Sequence, residues 1–323
     1  MRYRTEFISK NRSVIYAFAA LWIAFFHSSF TFESAFLTKI KNWGCCGVDI
    51  FLLVSGISLY FSMRKNGSSI LSFYRRRFVR VLLPALIMSV LWFGYTDLFG
   101  KDDVRLFLLD LSGLTLFTKG TKAVWFVTAI VIDYLLYPFL YRFFEKNKFS
   151  EWAFLVLLAA SFTVNAALKA SVPEIYENSE ILWRRLPVFV TGCFMGKAVY
   201  DKMTLPVNGW VITLATLALT LISFYLPYRD IGHLRYVFLP LAVGWTLLLS
   251  AAGQWKGLEK VCGFLSPVCL ELYLLHEKAL TLLTKTGMGS TAVNLLGFAI
   301  ALCGAFALKQ AEDRILRRSK KAK

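Results

Sequence analysis

Apolar and polar positions do not alternate along this chain as they do in half-buried strands, nor do they draw the narrow stripe of a surface helix. Long apolar runs follow one another instead, each closed by a short polar or basic interval. A bilayer core about 30 Å thick takes about 20 apolar residues as helix. On that basis the runs predict ten spans, at 13–31, 47–63, 78–99, 123–144, 151–168, 182–199, 208–227, 234–253, 262–284 and 291–311. The expected fold is all-α, a polytopic integral membrane protein in one transmembrane domain over 1–323. Residues 1–12 would form a basic N-terminus and 312–323 a basic tail. The second run is short and would tilt little or thin the bilayer. The stretch 104–117 is apolar but broken by Asp110 and Gly113, so it reads as an interfacial or re-entrant piece of an outer loop.

Composition narrows the class. Of 323 residues 57% are hydrophobic and 18% charged, against about 25% charged in soluble domains. With 29 Phe and 9 Trp, a single aqueous core would be overfilled. A cytosolic enzyme, a disordered chain and a disulfide scaffold are excluded as expectations. The net charge of +17 sits in short intervals between apolar runs, which points to lipid headgroups and topology, not nucleic acid. With the N-terminus inside, about two thirds of the basic residues collect on the inner side, as the positive-inside rule requires. Both termini then face the cytoplasm of a multi-pass protein of the cell membrane. Arg2, Arg4, Lys10 and Arg12 precede the first run as in a signal peptide, but no small-residue cleavage site follows, so the run is expected to stay as a span. The 6 cysteines lie in apolar runs or side by side at Cys45–Cys46, and no His/Cys cluster has metal-ligand spacing.

Ionisable groups inside spans are costly and therefore candidates for function. His27 lies in LWIAFFHSSF and His276 in LELYLLHEKAL. At 1.5 Å per residue both stand about 20 Å above their inner helix ends, the condition for a shared site. Histidine serves as a general base or an acyl-accepting nucleophile; an interfacial histidine bonded to a carbonyl is the plainer alternative. Asp49, opening GVDIFLLVSG, would orient an imidazole or meet a helix dipole. Ser55-Gly56 would admit a ligand or allow close helix packing. Asp133 needs a partner or a cavity, which Trp125 and Tyr134 would line. Glu271 and Lys278, seven apart, share a face and would satisfy each other. Arg184 and Arg185 at the outer interface would hold an anionic acceptor or snorkel.

The densest positive feature is FYRRRFVRVLLP. Arg77 and Arg80 share a helical face, with Arg75 and Arg76 beside them. Guanidinium forks match phosphate geometry, so a phosphorylated cytoplasmic cosubstrate would dock there, although topology alone also explains the cluster. Pro84 would kink the third span.

His27, GVDIFLLVSG, FYRRRFVRVLLP, VWFVTAIVIDYLLYP, RRLPVFVTGCFMG and LSPVCLELYLLHE occur in one order that resembles the acyltransferase-3 family of integral-membrane acyltransferases, in a stand-alone form without a hydrolase-like domain. The resemblance implies an acyl-coenzyme A cosubstrate, usually acetyl-CoA, and no tightly bound cofactor. It implies O-acylation of a carbohydrate or glycolipid on the outer side. It assigns catalysis to His27 with His276 and the donor motif to Arg77 and Arg80. Many members have arginine eleven residues before the first histidine; Tyr16 stands there, with Arg12 a turn further out. Many also have a small polar residue where Glu271 stands.

The resulting expectation is a donor site of Arg75, Arg76, Arg77, Arg80, Arg12 and Tyr16, with catalysis by His27, Asp49 and His276. The acceptor would meet Trp43, Trp125, Asp133, Arg184, Glu271 and His233, since aromatic faces and polar groups suit sugars. Membrane lipid and a second copy of the chain are further expected partners. Two competing functions share these residues: a proton-coupled transporter or flippase running through Asp133, Glu271, Lys278 and the two histidines His27 and His276, and a non-catalytic scaffold. No internal repeat of the kind transporters carry is visible.

Overall fold

Backbone groups in apolar surroundings must pair within their own segment, which leaves the long apolar runs the helix as their solution. The computed structural model describes residues 2–65, 69–225 and 231–321, the side chains of 65, 231–235 and 319–321 excepted. The chain starts with a strand, β1 (Arg2–Arg4), and a helical turn, α1 (Glu6–Lys10), before α2 (Arg12–His27). After α3 (Ala35–Asn42) come α4 (Cys46–Lys65) and α5 (Ile70–Phe93), the latter continued by a π-turn over Gly94–Leu98. Short helices α6 (Phe99–Lys101), α7 (Val104–Ser112) and α8 (Thr115–Lys119) lead to α9 (Trp125–Lys146) and α10 (Glu151–Ser171). Next follow α11 (Pro173–Trp183), α12 (Leu186–Tyr200), strand β2 (Thr204–Asn208), α13 (Gly209–Ser223) and α14 (Ile231–Ala252). The chain closes with α15 (Lys256–Leu265), α16 (Cys269–Thr284) and α17 (Ser290–Lys321).

Each of the ten expected segments carries a helix. Among the described residues five helical stretches are long and apolar enough to cross a membrane: Ala35–Arg64, Ile70–Lys101, Trp125–Lys146, Glu151–Ser171 and Ser290–Arg318. Tyr236–Ala252 and Lys256–Thr284 count as a sixth if taken as one broken span, bent by 118°. The helices at the remaining runs are shorter than expected, for local reasons. α2 ends at His27 because Ser28 turns extended (ψ 151°), four residues before the predicted end. α12 starts at Leu186 because Pro187 favours the first helical turn, where its missing N–H costs nothing. Pro84 sits inside α5 without ending it. The stretch 104–117 breaks where expected: Gly113 closes α7 with φ +74°, a conformation that glycine adopts freely. The small antiparallel ribbon of β1 and β2 was not foreseen.

The core runs along α4, whose apolar window is 83% buried, while α10, at 17%, keeps an apolar face outward, as lipid contact would demand. α4 packs most extensively on α12. Small residues allow this: a Cβ added at Gly192 would stand 2.2 Å from Leu53 O, and one at Gly56 2.8 Å from Phe189 O. Close packing therefore accounts for the Ser55-Gly56 stretch, and Gly192 and Gly196 form the matching small-xxx-small pair.

Contacts sort the molecule into two ends. At one, Thr5 donates to Ala198 O and Met203 O, Asn11 Nδ2 donates to Ser250 O, and Arg64 meets Glu145. At the other, Ser29 meets Asn294, Trp43 meets Ser223, Asn178 meets Phe117 O, and Lys278 meets Ala123 O.

Candidate active site

Two helices far apart in sequence bring the two histidines together. His27 is the last residue of α2 and His276 lies mid-way along α16, and His276 Nε2 stands 3.0 Å from His27 Nδ1. Each ring is also anchored to its own helix, His27 Nδ1 at 3.1 Å from Ile23 O and His276 Nδ1 at 3.1 Å from Leu272 O. A carbonyl only accepts, so His276 Nδ1 carries a proton and, in the neutral ring, Nε2 is bare. That bare nitrogen accepts from His27 Nδ1–H, which leaves His27 Nε2 with a free lone pair. The hydrogen bonds thus select the tautomer in which His27 is a base.

The turn after His27 is fixed from α17 and α3. Ser29 N donates to Asn294 Oδ1 at 2.9 Å, Ser290 Oγ donates to Ser29 O at 3.0 Å, and Lys41 Nζ donates to Phe30 O at 2.8 Å. Both rings border a cavity of about 20 Å³, whose other walls include Trp125, Tyr273, Glu277 and Lys278. Such a volume holds about one water molecule. An acyl group needs these walls to part.

Asp49 does reach this neighbourhood, through a different partner than expected. Its carboxylate pairs with Arg185, Nε to Oδ1 at 3.3 Å, and both side chains are at least 96% buried. The Arg185 guanidinium in turn lies over the Trp125 ring, 5.1 Å from its centroid. Asp49 therefore steadies a wall of the cavity, and the imidazole is oriented by His276 in its place. Removing one member of such a buried pair costs about 3–5 kcal/mol, because the other charge is stranded.

Of the expected donor residues, Tyr16, Arg77 and Arg80 are brought together. The Tyr16 ring stacks on Phe51, and its hydroxyl faces Ser58, Arg77, Arg80 and Tyr134. Arg77 Nη2 donates to Ser58 O at 3.2 Å, and Ser55 Oγ lies 3.4 Å from the Tyr134 hydroxyl. These arginines belong to the first turns of α5 and not to a preceding loop. Arg75, Arg76 and Arg80 are exposed, as is Arg12 at the start of α2. Arg76 donates to Ser72 Oγ. Tyr16 thus occupies a cationic polar cluster about 16 Å, eleven helical residues, from His27.

The acceptor residues are only partly brought together. Trp125 lines the cavity. Trp43 is buried in packing against Phe224 and Phe238 and donates to Ser223 Oγ at 2.7 Å. Arg184 is engaged by Glu180 and the Tyr176 hydroxyl. Asp133 is buried beside Cys193 of α12. Glu271 does not pair with Lys278 but with Lys309 of α17 at 3.5 Å, near Glu312. His233 lies outside the described side chains. Lys278, read from sequence as a partner for Glu271 or a step on a proton path, proves to be a cavity residue. Its spacing gave no signal, because residues two apart on a helix point to different faces. Among the described residues no cluster of three or more His, Cys, Asp or Glu is arranged for a metal ion.

A model of the acyltransferase-3 family, described as an acyltransferase domain, matches residues 14–309, nearly the whole chain. No curated protein and no solved structure matches it.

Proposed function

Because the chain belongs to the acyltransferase-3 family, we propose that it moves an acetyl group from acetyl-CoA to a hydroxyl of a carbohydrate at the outer face of a cell membrane. Acyl transfer follows from the family. The acetyl-CoA donor and the carbohydrate acceptor are what the family resemblance implies, and the arginine cluster and the cavity support that reading. One observation carries the reading most: two buried or half-buried imidazoles, linked at 3.0 Å, stand in the wall of a cavity, and about 16 Å down the same helix Tyr16 meets the polar cluster that Arg77 and Arg80 of α5 complete. The nucleotide phosphates would bind the guanidinium forks of Arg77, Arg80 and their neighbours. The flexible pantetheine arm bridges that span and brings the thioester to His27. There, Nε2 takes the proton of the acceptor hydroxyl as its oxygen attacks the carbonyl carbon, and His276 holds the imidazolium that forms.

The two ends sorted by the contacts fit ten crossings with both termini in the cytoplasm, since successive segment ends alternate between them. The arginine cluster then faces the acyl-CoA pool. Glu271 and Lys278, on which a proton-coupled path was to run, are engaged by Lys309 and by Ala123 O.

The test compares surface glycans, by mass spectrometry, from cells expressing the chain or its His27→Ala variant. The expected result is an added acetyl mass that the variant lacks, while the purified variant still binds acetyl-CoA. Equal acylation in both would overturn the assignment.

A further inference from the structure

Lysine 278 is placed where its long stem gains nothing by staying. It is 8% exposed, although a lysine near an interface ordinarily extends its head to water. Its ammonium has three donors. One goes to Ala123 O at 2.9 Å, while the nearest carboxylate, the half-exposed Glu277, stands 4.0 Å away, beyond hydrogen-bond length. Two donors remain for something else.

What they face is defined by two cavities. Lys278, Ala123, Val124 and Leu274 border both the His27–His276 cavity and a smaller one of about 10 Å³ closed by Met88, Ser89, Trp92 and Phe93. Lys278 thus belongs to the walls of both, the cavity of the imidazole pair and a mostly apolar slot, and its ammonium is tied to Ala123, which also borders both.

We propose that Lys278 is a catalytic group of this site, donating to the acyl carbonyl oxygen as it becomes an oxyanion. The inference rests on the acyl-transfer reading above and assigns the slot to the short acyl tail. The acceptor oxygen forms a bond to the carbonyl carbon, its proton passes to His27 Nε2, and the carbonyl π pair moves onto oxygen beside Lys278. When that pair returns, the carbon–sulfur bond breaks and the thiolate leaves with the proton from His27. Donors aimed at charge that exists only in the transition state raise kcat without tightening the ground state.

The alternative is structural: Lys278 merely ties Ala123 to α16. Inside-out membrane vesicles from expressing cells, given radiolabelled acetyl-CoA, separate the two by label reaching the glycan fraction. Lys278→Met should lower the plateau rate about 10²–10³-fold with the donor KM within about twofold. Lys278→Arg keeps the charge and should recover at least about tenfold of that loss. Lys278→Gln keeps a donor for Ala123 O without the charge and should stay low. Gln matching wild type, or Met losing KM and not plateau rate, overturns the proposal. No label transfer by wild type overturns the acyl-transfer reading itself, and the role of Lys278 with it.

Discussion

His27, the last residue of its helix, turns Nδ1 to both its own helix and the neighbouring His276, which leaves Nε2 open to the cavity side. Its orientation depends on His276 accepting at Nε2, so the two residues should separate by chemistry and not only by loss. His276→Phe removes the acceptor and should lower the rate about 10–100-fold, since Ile23 O still keeps the proton on Nδ1 but the imidazolium loses a hydrogen bond, and one to a charged group is worth about 1.5–3 kcal/mol. His276→Gln, whose amide oxygen can accept, should restore part of it. Steady-state rates at fixed acetyl-CoA check this; equal loss in both variants would mean that the ring matters for packing alone. Sequence showed the matched depths of the two imidazoles. It could not show the tautomer, which follows from Ile23 O and Leu272 O. Nor could it show that Asp49 answers to Arg185, because sequence spacing reveals neighbours on one helix and these lie on different elements. The same limit paired Glu271 with Lys278, seven residues away, when its partner Lys309 belongs to another helix.

Helix α4 has almost no polar face, and apolarity all round is the mark of a helix enclosed by others. Its contact with α12 is set by backbone proximity at Gly192, where even a methyl would strike Leu53 O. Gly192→Leu is therefore expected to force the two helices apart and destabilise by about 1–3 kcal/mol or more. A lowered midpoint in thermal melts of the detergent-solubilised protein is the measurement, and an unchanged midpoint would show that the pair is looser than drawn. Helix existence was legible along the chain because each apolar run had a helix as its outlet. Helix ends were less so: Ser28 and Pro187 set them by backbone geometry, which hydropathy does not register. The ribbon joining Arg2–Arg4 to Thr204–Asn208 was not legible because one buried Tyr3 between two arginines is too short an alternation to mark a strand.

Across the whole molecule, alternation of segment ends makes a specific claim about sidedness. With the native cysteines replaced, a single cysteine at exposed Asp102 or Glu174 should react with an impermeant maleimide added to intact cells. One at exposed Asp201 should react only after lysis. Labelling of Asp201 from outside would reverse the proposed direction of transfer.

The hydrogen bond between positions 27 and 276 joins the first long helix to the last but one. During synthesis, His27 is made early and waits through most of translation without its partner ring. On the proposed mechanism, chains abandoned before that point, even with their arginines in place, would lack the group that holds the imidazolium and would transfer little. An acyl thioester would then be turned over only after the final hairpin has docked.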